Sequence, residues 1–152
     1  MNKSTWFVSL MLAVALSIPG MTMSLNAAAQ PVPSNLLLIE ADSEGFEPAA
    51  FYLDLDSIRP SPGHPHWRRA SLIVQPENIQ NSHDLAEVAG AQSWGIHITV
   101  DCQNQAARAD TERWFSQHYG QGDVLRRADQ DERFAASDGS KGAQLILGTV
   151  CK

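Results

Sequence analysis

Apolar and polar residues alternate without interruption in two stretches of this chain. In residues 51–56, every second residue is apolar: Phe51, Leu53 and Leu55. In residues 94–102, every second residue from Ile96 onwards is again apolar: Ile96, Ile98, Val100 and Cys102. A period of two indicates β-strands with one buried face. The second pattern places Cys102 on the core side of its strand.

Weaker patterns predict the other elements of the first half. They are a strand at 36–40, a turn at 43–45, an irregular stretch at 46–50, a stiff loop with three prolines at 59–65, and a strand at 66–75. The segment 77–93 is polar. Within it, a short helix is predicted at 82–89, with Ser82 as its cap and Gly90 after its end.

The C-terminal part combines a predicted hairpin with a predicted helix. Charges in 107–115 are compatible with a helix, but the glycine-rich turn at 119–123 favours a strand that pairs with 124–127. The residues 138–140 can start a final helix that ends at Cys151. Its apolar residues recur at helical spacing: Ala143, Ile146, Leu147 and Val150. Gly148 weakens this helix by about 1 kcal/mol.

The N-terminus has the three parts of a secretory signal peptide. Lys3 supplies positive charge, residues 6–18 form an apolar run, and small alanines stand at 27–29. Cleavage is predicted before Gln30. The alternative is a membrane anchor, but the apolar run is short for a span of about 20 residues.

Cleavage would leave an extended tether at 30–35 and one domain at 36–152. We expect no membrane span in this mature chain and a periplasmic or secreted location. No cysteine lies near the cleavage site, so lipid attachment to an N-terminal cysteine is not expected.

The chain has two cysteines, Cys102 and Cys151. In an exported protein they are expected to form a disulfide that ties the C-terminus to a core strand. Closing a loop of this length would stabilise the fold by about 4 kcal/mol in the loop-entropy model. Two unrelated buried thiols are the alternative. A metal site on them is not expected, because neither belongs to a Cys-x-x-Cys motif.

The formal net charge is −6, and it becomes −7 when Lys3 is removed with the signal peptide. An acidic chain disfavours nucleic acid as a partner. The basic pairs at 68–69 and 126–127 are short. Paired arginines on a strand usually point to opposite faces or lie over apolar surface, and an anion site is the less favoured alternative.

Three features together resemble the surface-adhesin protein E family. The stretch 52–59 carries Tyr52, Asp54, Ser57 and Ile58 in the order of that family's Tyr-x-Asp-x-x-Ser-Ile strand motif. Asp101 and Cys102 resemble its central Asp-Cys pair, and the segment ending in Cys151 resembles its C-terminal helix and cysteine. The resemblance implies an α+β fold with about six antiparallel strands and a C-terminal helix tied to the sheet by a disulfide.

The resemblance also implies a function. The namesake of the family is an outer-membrane lipoprotein that binds host matrix proteins such as laminin and vitronectin and can dimerise. This chain differs from it in lacking a lipidation cysteine and in the length of 77–93. The implied role is an exported module without enzymatic activity that binds a protein or envelope component, with a possible homodimer through a sheet edge.

Few residues indicate catalytic or metal chemistry. His64 and His66 are a close pair that could share a face, although a solvated loop is the simpler interpretation. Asp54 and Asp56 lie about 7 Å apart on one strand face, a spacing used in acid–base catalysis. A solvated strand face, with Asp54 and Ser57 capping the turn, is the simpler alternative. We predict no catalytic residues, no metal and no cofactor.

Three tryptophans remain after the predicted cleavage: Trp67, Trp94 and Trp114. Two or more are expected in the core or on the sheet, and an exposed one would be a binding candidate because tryptophan is enriched in interface hot spots. Two alternative functions stay open. One is a small periplasmic enzyme that uses Asp54, Asp56 and His97, and the other is a structural or stress-related envelope protein.

Overall fold

One antiparallel sheet connects all three parts of the chain that this computed structural model describes, residues 30–42, 49–131 and 133–152. The strands follow one another in chain order, each paired with the next, and the short last strand pairs with the fifth. They are β1 (Leu36–Asp42), β2 (Ala49–Ser61), β3 (His64–Pro76), β4 (Ser93–Asp101), β5 (Ala106–Phe115), β6 (Val124–Asp129) and β7 (Ala135–Ala136). The predicted signal peptide and the turn at 43–45 lie outside the described residues.

The prediction of a proline-rich loop at 59–65 is wrong. Strand β2 continues to Ser61 and β3 begins at His64, so that only Pro62 and Gly63 form the turn. Gly63 adopts the left-handed conformation that a tight turn requires. Pro60 is tolerated because β1 pairs with β2 only as far as Asp54, and beyond this point no described strand pairs with that edge of β2.

The sequence pattern also misplaced Leu55. Alternation puts it with Phe51 and Leu53 on the buried side, but its exposed fraction is 39%. The pairing of β2 with β3 shifts register between Asp54 and Arg59. An irregularity of this kind breaks the alternation of side chains between the two faces.

Strand β4 ends one residue earlier than predicted. Cys102 is the first residue of the turn that joins β4 to β5, and it is half-buried against the main core. That core is built from Leu53, Ala70, Ile98 and Val100 on neighbouring strands and Val150 from the C-terminal helix.

The C-terminal helix α2 (Lys141–Val150) lies on this core, as predicted. The Ser140 hydroxyl accepts a hydrogen bond from the Ala143 amide at 3.2 Å and caps its first turn. The disulfide between Cys102 and Cys151 ties the helix end to the start of the β4–β5 turn. The expected fold, a six- to seven-stranded antiparallel sheet with a helix fastened by a disulfide, is therefore confirmed.

The segment between β3 and β4 covers the rest of the same face. Its helix α1 (His83–Ala86) is shorter than predicted, and Ser82 caps it by accepting a hydrogen bond from the Leu85 amide at 3.4 Å. Leu85, Val88 and Ala91 pack against Trp114 of β5 in a second core cluster.

Both α-helices therefore lie on one face of the sheet. We call the other the helix-free face, because it carries no α-helix of the described residues, although the short 3-10 helix His118–Gly120 covers one end of it and donates backbone hydrogen bonds to Gln75 and Ser93. The helix-free face carries alternate residues of the central strands, including Trp67, Arg69, His97 and Arg113. Among the described residues, no helix has the length and apolar character needed to cross a membrane.

Candidate binding surface

An aromatic cluster stands on the helix-free face near the β2–β3 turn. The Trp67 indole is stacked on the His64 ring, with centroids 3.8 Å apart and planes at 12°, and the Phe134 ring lies 4.8 Å away. The Arg108 guanidinium lies 5.6 Å from the Trp67 ring centroid and 4.9 Å from that of Phe134. We call these four residues the Trp67 cluster. It combines flat apolar surface with a cation, a combination found in protein-binding hot spots.

Asp101, directly opposite Trp67 in the β3–β4 register, anchors the neighbouring turn. Its carboxylate accepts hydrogen bonds from the amides of Gln103 and Asn104 at 3.0 and 3.1 Å, and from the Asn104 side chain at 2.8 Å. Bonding from the Asn104 side chain is the main reason why the pKa of Asp101 lies below its ordinary value. This carboxylate holds the turn that carries Cys102.

A concave region of ≈ 390 Å³ adjoins the Trp67 cluster on the same face. We call it the arginine cleft, and its charged and titratable lining residues are Arg69, Arg108, Arg113, Arg127, His97 and Asp110. Arg108 belongs to both features. The cluster and the cleft therefore form one continuous surface.

Strand register explains the shape of the cleft. Arg69, Thr99 and Arg108 are cross-strand neighbours on β3, β4 and β5, and they form one row. Arg113 and Arg127 are directly opposite each other on β5 and β6 and form a second arginine row.

A row of smaller side chains lies between the two arginine rows. His97 of β4 is flanked there by Ser71 of β3 and Thr111 of β5. The long arginines stand on both sides of these shorter residues. This difference in side-chain length produces a concave surface.

The surroundings of His97 in the cleft lower its pKa. Burial lowers the pKa of His97, and the positive charges of Arg113 and Arg127 lower it further. Asp110 and Asp54 oppose this effect. Asp110 is engaged elsewhere, because it accepts hydrogen bonds from the Thr99 hydroxyl at 2.6 Å and from Arg108 Nε at 3.0 Å.

The residues of the strand motif at 52–58 form hydrogen bonds and packing contacts within the fold. The Ser57 hydroxyl donates to the Asp54 carbonyl at 2.6 Å and accepts from the Ser71 amide at 2.8 Å. Ile58 packs on the main core. Tyr52 meets Tyr119 edge to face at 5.8 Å, and burial is the main cause of its raised pKa.

The three suspected catalytic residues do not surround one cavity. His97 lines the arginine cleft, whereas neither Asp54 nor Asp56 does. Asp54 Oδ1 accepts hydrogen bonds from the Asn35 side chain at 2.8 Å and from the Asp56 amide at 3.1 Å. Its carboxylate therefore holds the chain at the start of the β2 irregularity.

The close histidine pair is not part of a larger ligand set. His64 is stacked on Trp67, and His66 is exposed. Within the described parts of the chain, no group of three or more histidine, cysteine or acidic residues could hold a metal ion.

The three tryptophans occupy different environments. Trp94 and Trp114 are cross-strand neighbours on β4 and β5, and both pack in the second core cluster. Trp114 is 7% exposed, and its indole N–H donates to the Asp84 carbonyl at 3.1 Å. Trp67 is the one on the helix-free face.

Two residues of the surface were missed by sequence reasoning. Arg108 lies in 107–115, where a helix remained an alternative, and its face was therefore undefined. A strict two-residue period through 106–115 would place Arg108 and Arg113 on opposite faces, and the extra residue opposite the His97–Ile98 step brings them to the same face. Phe134 precedes the two-residue strand β7, which no pattern indicated.

Another cavity, of ≈ 300 Å³, lies on the helix side of the sheet between α2 and the short strand β7. Its wall includes Leu72, Val100, Ala135 and Ile146. It contains almost no charged side chains, unlike the arginine cleft.

The fold and this surface define a small antiparallel-sheet domain with a disulfide-fastened helix on one face and an open aromatic and basic face on the other. The family resemblance of the sequence motifs is confirmed by a family model. The model of the surface-adhesin protein E family matches residues 41–152. The chain belongs to the surface-adhesin protein E family, which is an adhesin family rather than an enzyme family. No curated protein sequence matches it.

Solved structures of Haemophilus influenzae protein E share the fold. Its crystal form II aligns with a TM-score of 0.55 at 17% identity, covering 80% of this chain and 94% of that one. A selenomethionine form gives 0.54 at 14% identity, with 80% and 88% coverage. Protein E from a non-typeable strain gives 0.51 at 16% identity, with 78% of each chain covered.

Proposed function

We propose that this chain is an exported, surface adhesin-like protein without enzymatic activity that binds a protein ligand through the Trp67 cluster. The observation that carries the proposal is the position of this cluster on the helix-free face. Family membership supports a binding role and makes host or matrix proteins the first candidates. Asp54 and Asp56 do not line the cavity beside His97, which supports a role other than catalysis.

The chemistry of the cluster suits a protein partner. The stacked rings of Trp67 and His64 offer a rigid surface that loses little conformational entropy on binding. Arg108 is held in place by its ion pair with Asp110 at 3.0 Å. It can therefore meet a carboxylate or an aromatic ring of the partner without first being ordered.

Capture by immobilised ligands tests this proposal. The mature chain is passed over laminin, vitronectin and envelope extract, and Trp67→Ala and Phe134→Ala are compared with Leu145→Ala, an exposed apolar residue on α2. We expect the first two variants to lose at least about tenfold in affinity, as hot-spot truncations do, and the third to bind like the wild type.

Two results would contradict the proposal. One is that no ligand of the panel is retained by the wild-type chain. The other is that Leu145→Ala loses as much affinity as Trp67→Ala, since the binding surface would then lie on the helix side.

Export by a cleaved signal peptide is part of the same proposal. We infer that the mature chain begins at Gln30 and is periplasmic or secreted. Mass spectrometry of the protein recovered from the periplasm and the medium tests this. A mature chain that still contains Lys3 would contradict cleavage at this position.

Self-association through a sheet edge is a second proposal. Strand β6 is the outer neighbour of β5, and Val124 and Leu125 on it are 49% and 42% exposed. An exposed apolar edge strand is a template for pairing with another copy. Light scattering at increasing concentration should show a dimer that Leu125→Lys abolishes, and a monomer at all concentrations would contradict it.

A further inference from the structure

The arginine cleft has an excess of positive charge that the fold itself does not neutralise. Arg108 is paired with Asp110, and Arg127 with Asp129, each at 3.0 Å. Arg69 and Arg113 line the same cleft and form no ion pair with any carboxylate of the described residues. Two guanidinium charges are thus left over in a chain whose net charge is negative.

The arrangement of these charges is costly without a ligand. Arg113 lies directly opposite Arg127, and like charges at such a position repel each other. Burial is the main cause of the lowered pKa of His97, and the charges of Arg113 and Arg127 lower it further, as expected beside two cations that share one cleft. Concave surfaces lined by one sign of charge concentrate ions of the other sign.

We propose that the arginine cleft binds a doubly charged tetrahedral oxyanion, a sulfate or phosphate group, between its two arginine rows. Arg69 from one row and Arg113 from the other supply the two unpaired charges, which a dianion matches. Guanidinium groups bind such oxyanions through paired, charge-assisted hydrogen bonds. The inference does not depend on protein binding by the Trp67 cluster.

The pKa of His97 should change when the anion binds, and protonation of His97 should strengthen the binding. His97 faces the guanidinium groups of Arg113 and Arg127 and the carboxylates of Asp110 and Asp54. A bound dianion adds negative charge above the imidazole and favours its protonated form, so the pKa of His97 should rise. By linkage, sulfate, which stays a dianion over this range, should bind more tightly as the pH falls through that pKa.

Histidine titration by NMR tests the proposal with inorganic sulfate and inorganic phosphate as probes, at constant ionic strength set by chloride. We expect the pKa of His97 to rise with either probe. Arg113→Gln should weaken binding by about tenfold or more, as the loss of a charge-assisted contact does. His97→Gln should remove the pH dependence of the affinity for sulfate, whose own charge does not change in this range.

The matched control is Arg68→Gln. It removes the same charge from the neighbouring position on β3, which points to the opposite face from Arg69. If Arg113→Gln fails to fold by circular dichroism, Arg69→Gln takes its place. A His97 titration that neither probe moves, or equal losses of affinity in Arg68→Gln and the cleft variant, would overturn the proposal.

Two further probes distinguish the source of the group. A sulfated disaccharide, compared with its desulfated form, represents a sulfate ester on carbohydrate, which carries one negative charge per group, and O-phosphoserine represents a phosphate ester, which carries close to two at pH 7. Tighter binding of either ester than of its free ion supports the proposal and identifies the source. Binding of the desulfated sugar with equal affinity would contradict recognition of the oxyanion.

Discussion

At the scale of single residues, Asp101 and Cys102 show how two neighbours serve different parts of the fold. Asp101 faces the helix-free side and holds the amides of the β4–β5 turn. Cys102 faces the other side and is bonded to the end of α2. The turn that Asp101 orders therefore also places the cysteine for its disulfide.

Replacing Asp101 by Asn should lower the melting temperature at pH 7. The pKa of this carboxyl is lowered in the fold, so its stabilising contribution is complete above the ordinary value of 3.8 and is lost as the pH falls through the lowered pKa. The difference between wild type and variant should shrink in acid. Asp123→Asn, in another exposed turn, is the control, and identical melting of wild type and Asp101→Asn at pH 7 would refute the assignment.

Two tryptophans should respond differently to truncation. Trp114→Ala should cost about 3–5 kcal/mol of unfolding free energy, because the residue is buried among Leu85, Val88 and Ala91. Trp67→Ala should cost about 1–2 kcal/mol, the loss of partly exposed ring contacts. Denaturant unfolding measures both. Equal costs would show that Trp67 is a core residue rather than a surface anchor.

At the scale of elements, strict alternation was the most reliable predictor. It located β4 to within a residue at each end and identified the core residues Ile98 and Val100. It failed for Leu55 and for the face of Arg108, where register shifts in β2 and β5 interrupt the period. Such irregularities depend on pairing with a neighbouring strand, which a local pattern does not contain.

Prolines caused the other wrong prediction of an element, the loop at 59–65. Pro60 and Pro65 predict a loop when each strand is considered alone. In the sheet, each lies beyond the reach of one neighbouring strand: β1 pairs with β2 only as far as Asp54, and β4 pairs with β3 only from Trp67 onwards. A proline nitrogen that points to such an edge leaves no interstrand bond unmade.

The helix α2 should depend on the disulfide more than the sheet does. In Cys102→Ala combined with Cys151→Ala, the fold should lose up to about 4 kcal/mol, the loop-entropy value for the 49-residue separation. Hydrogen exchange should accelerate first in 141–150, while amides in β3 and β4 stay comparatively protected. Uniform acceleration across both would contradict this order.

At the scale of the whole molecule, the two faces of the sheet differ in what they carry. One carries α2 and the segment between β3 and β4 and contains both core clusters. The other carries the Trp67 cluster and the arginine cleft, which meet at Arg108. The sequence predicted the architecture and the disulfide, but it could not show this surface, because its residues come from β3 to β6 and from Phe134 near β7.

Mapping of the contact face tests the central claim most directly. Isotope-labelled mature chain is titrated with the matrix protein that retains it in the capture experiment, and the perturbed NMR resonances are assigned. We expect the perturbed resonances to cluster at His64, Trp67, Arg108 and Phe134, and those of residues 141–150 to be unaffected. Perturbations confined to α2 or to the segment 77–92 would show that the helix-covered face binds instead.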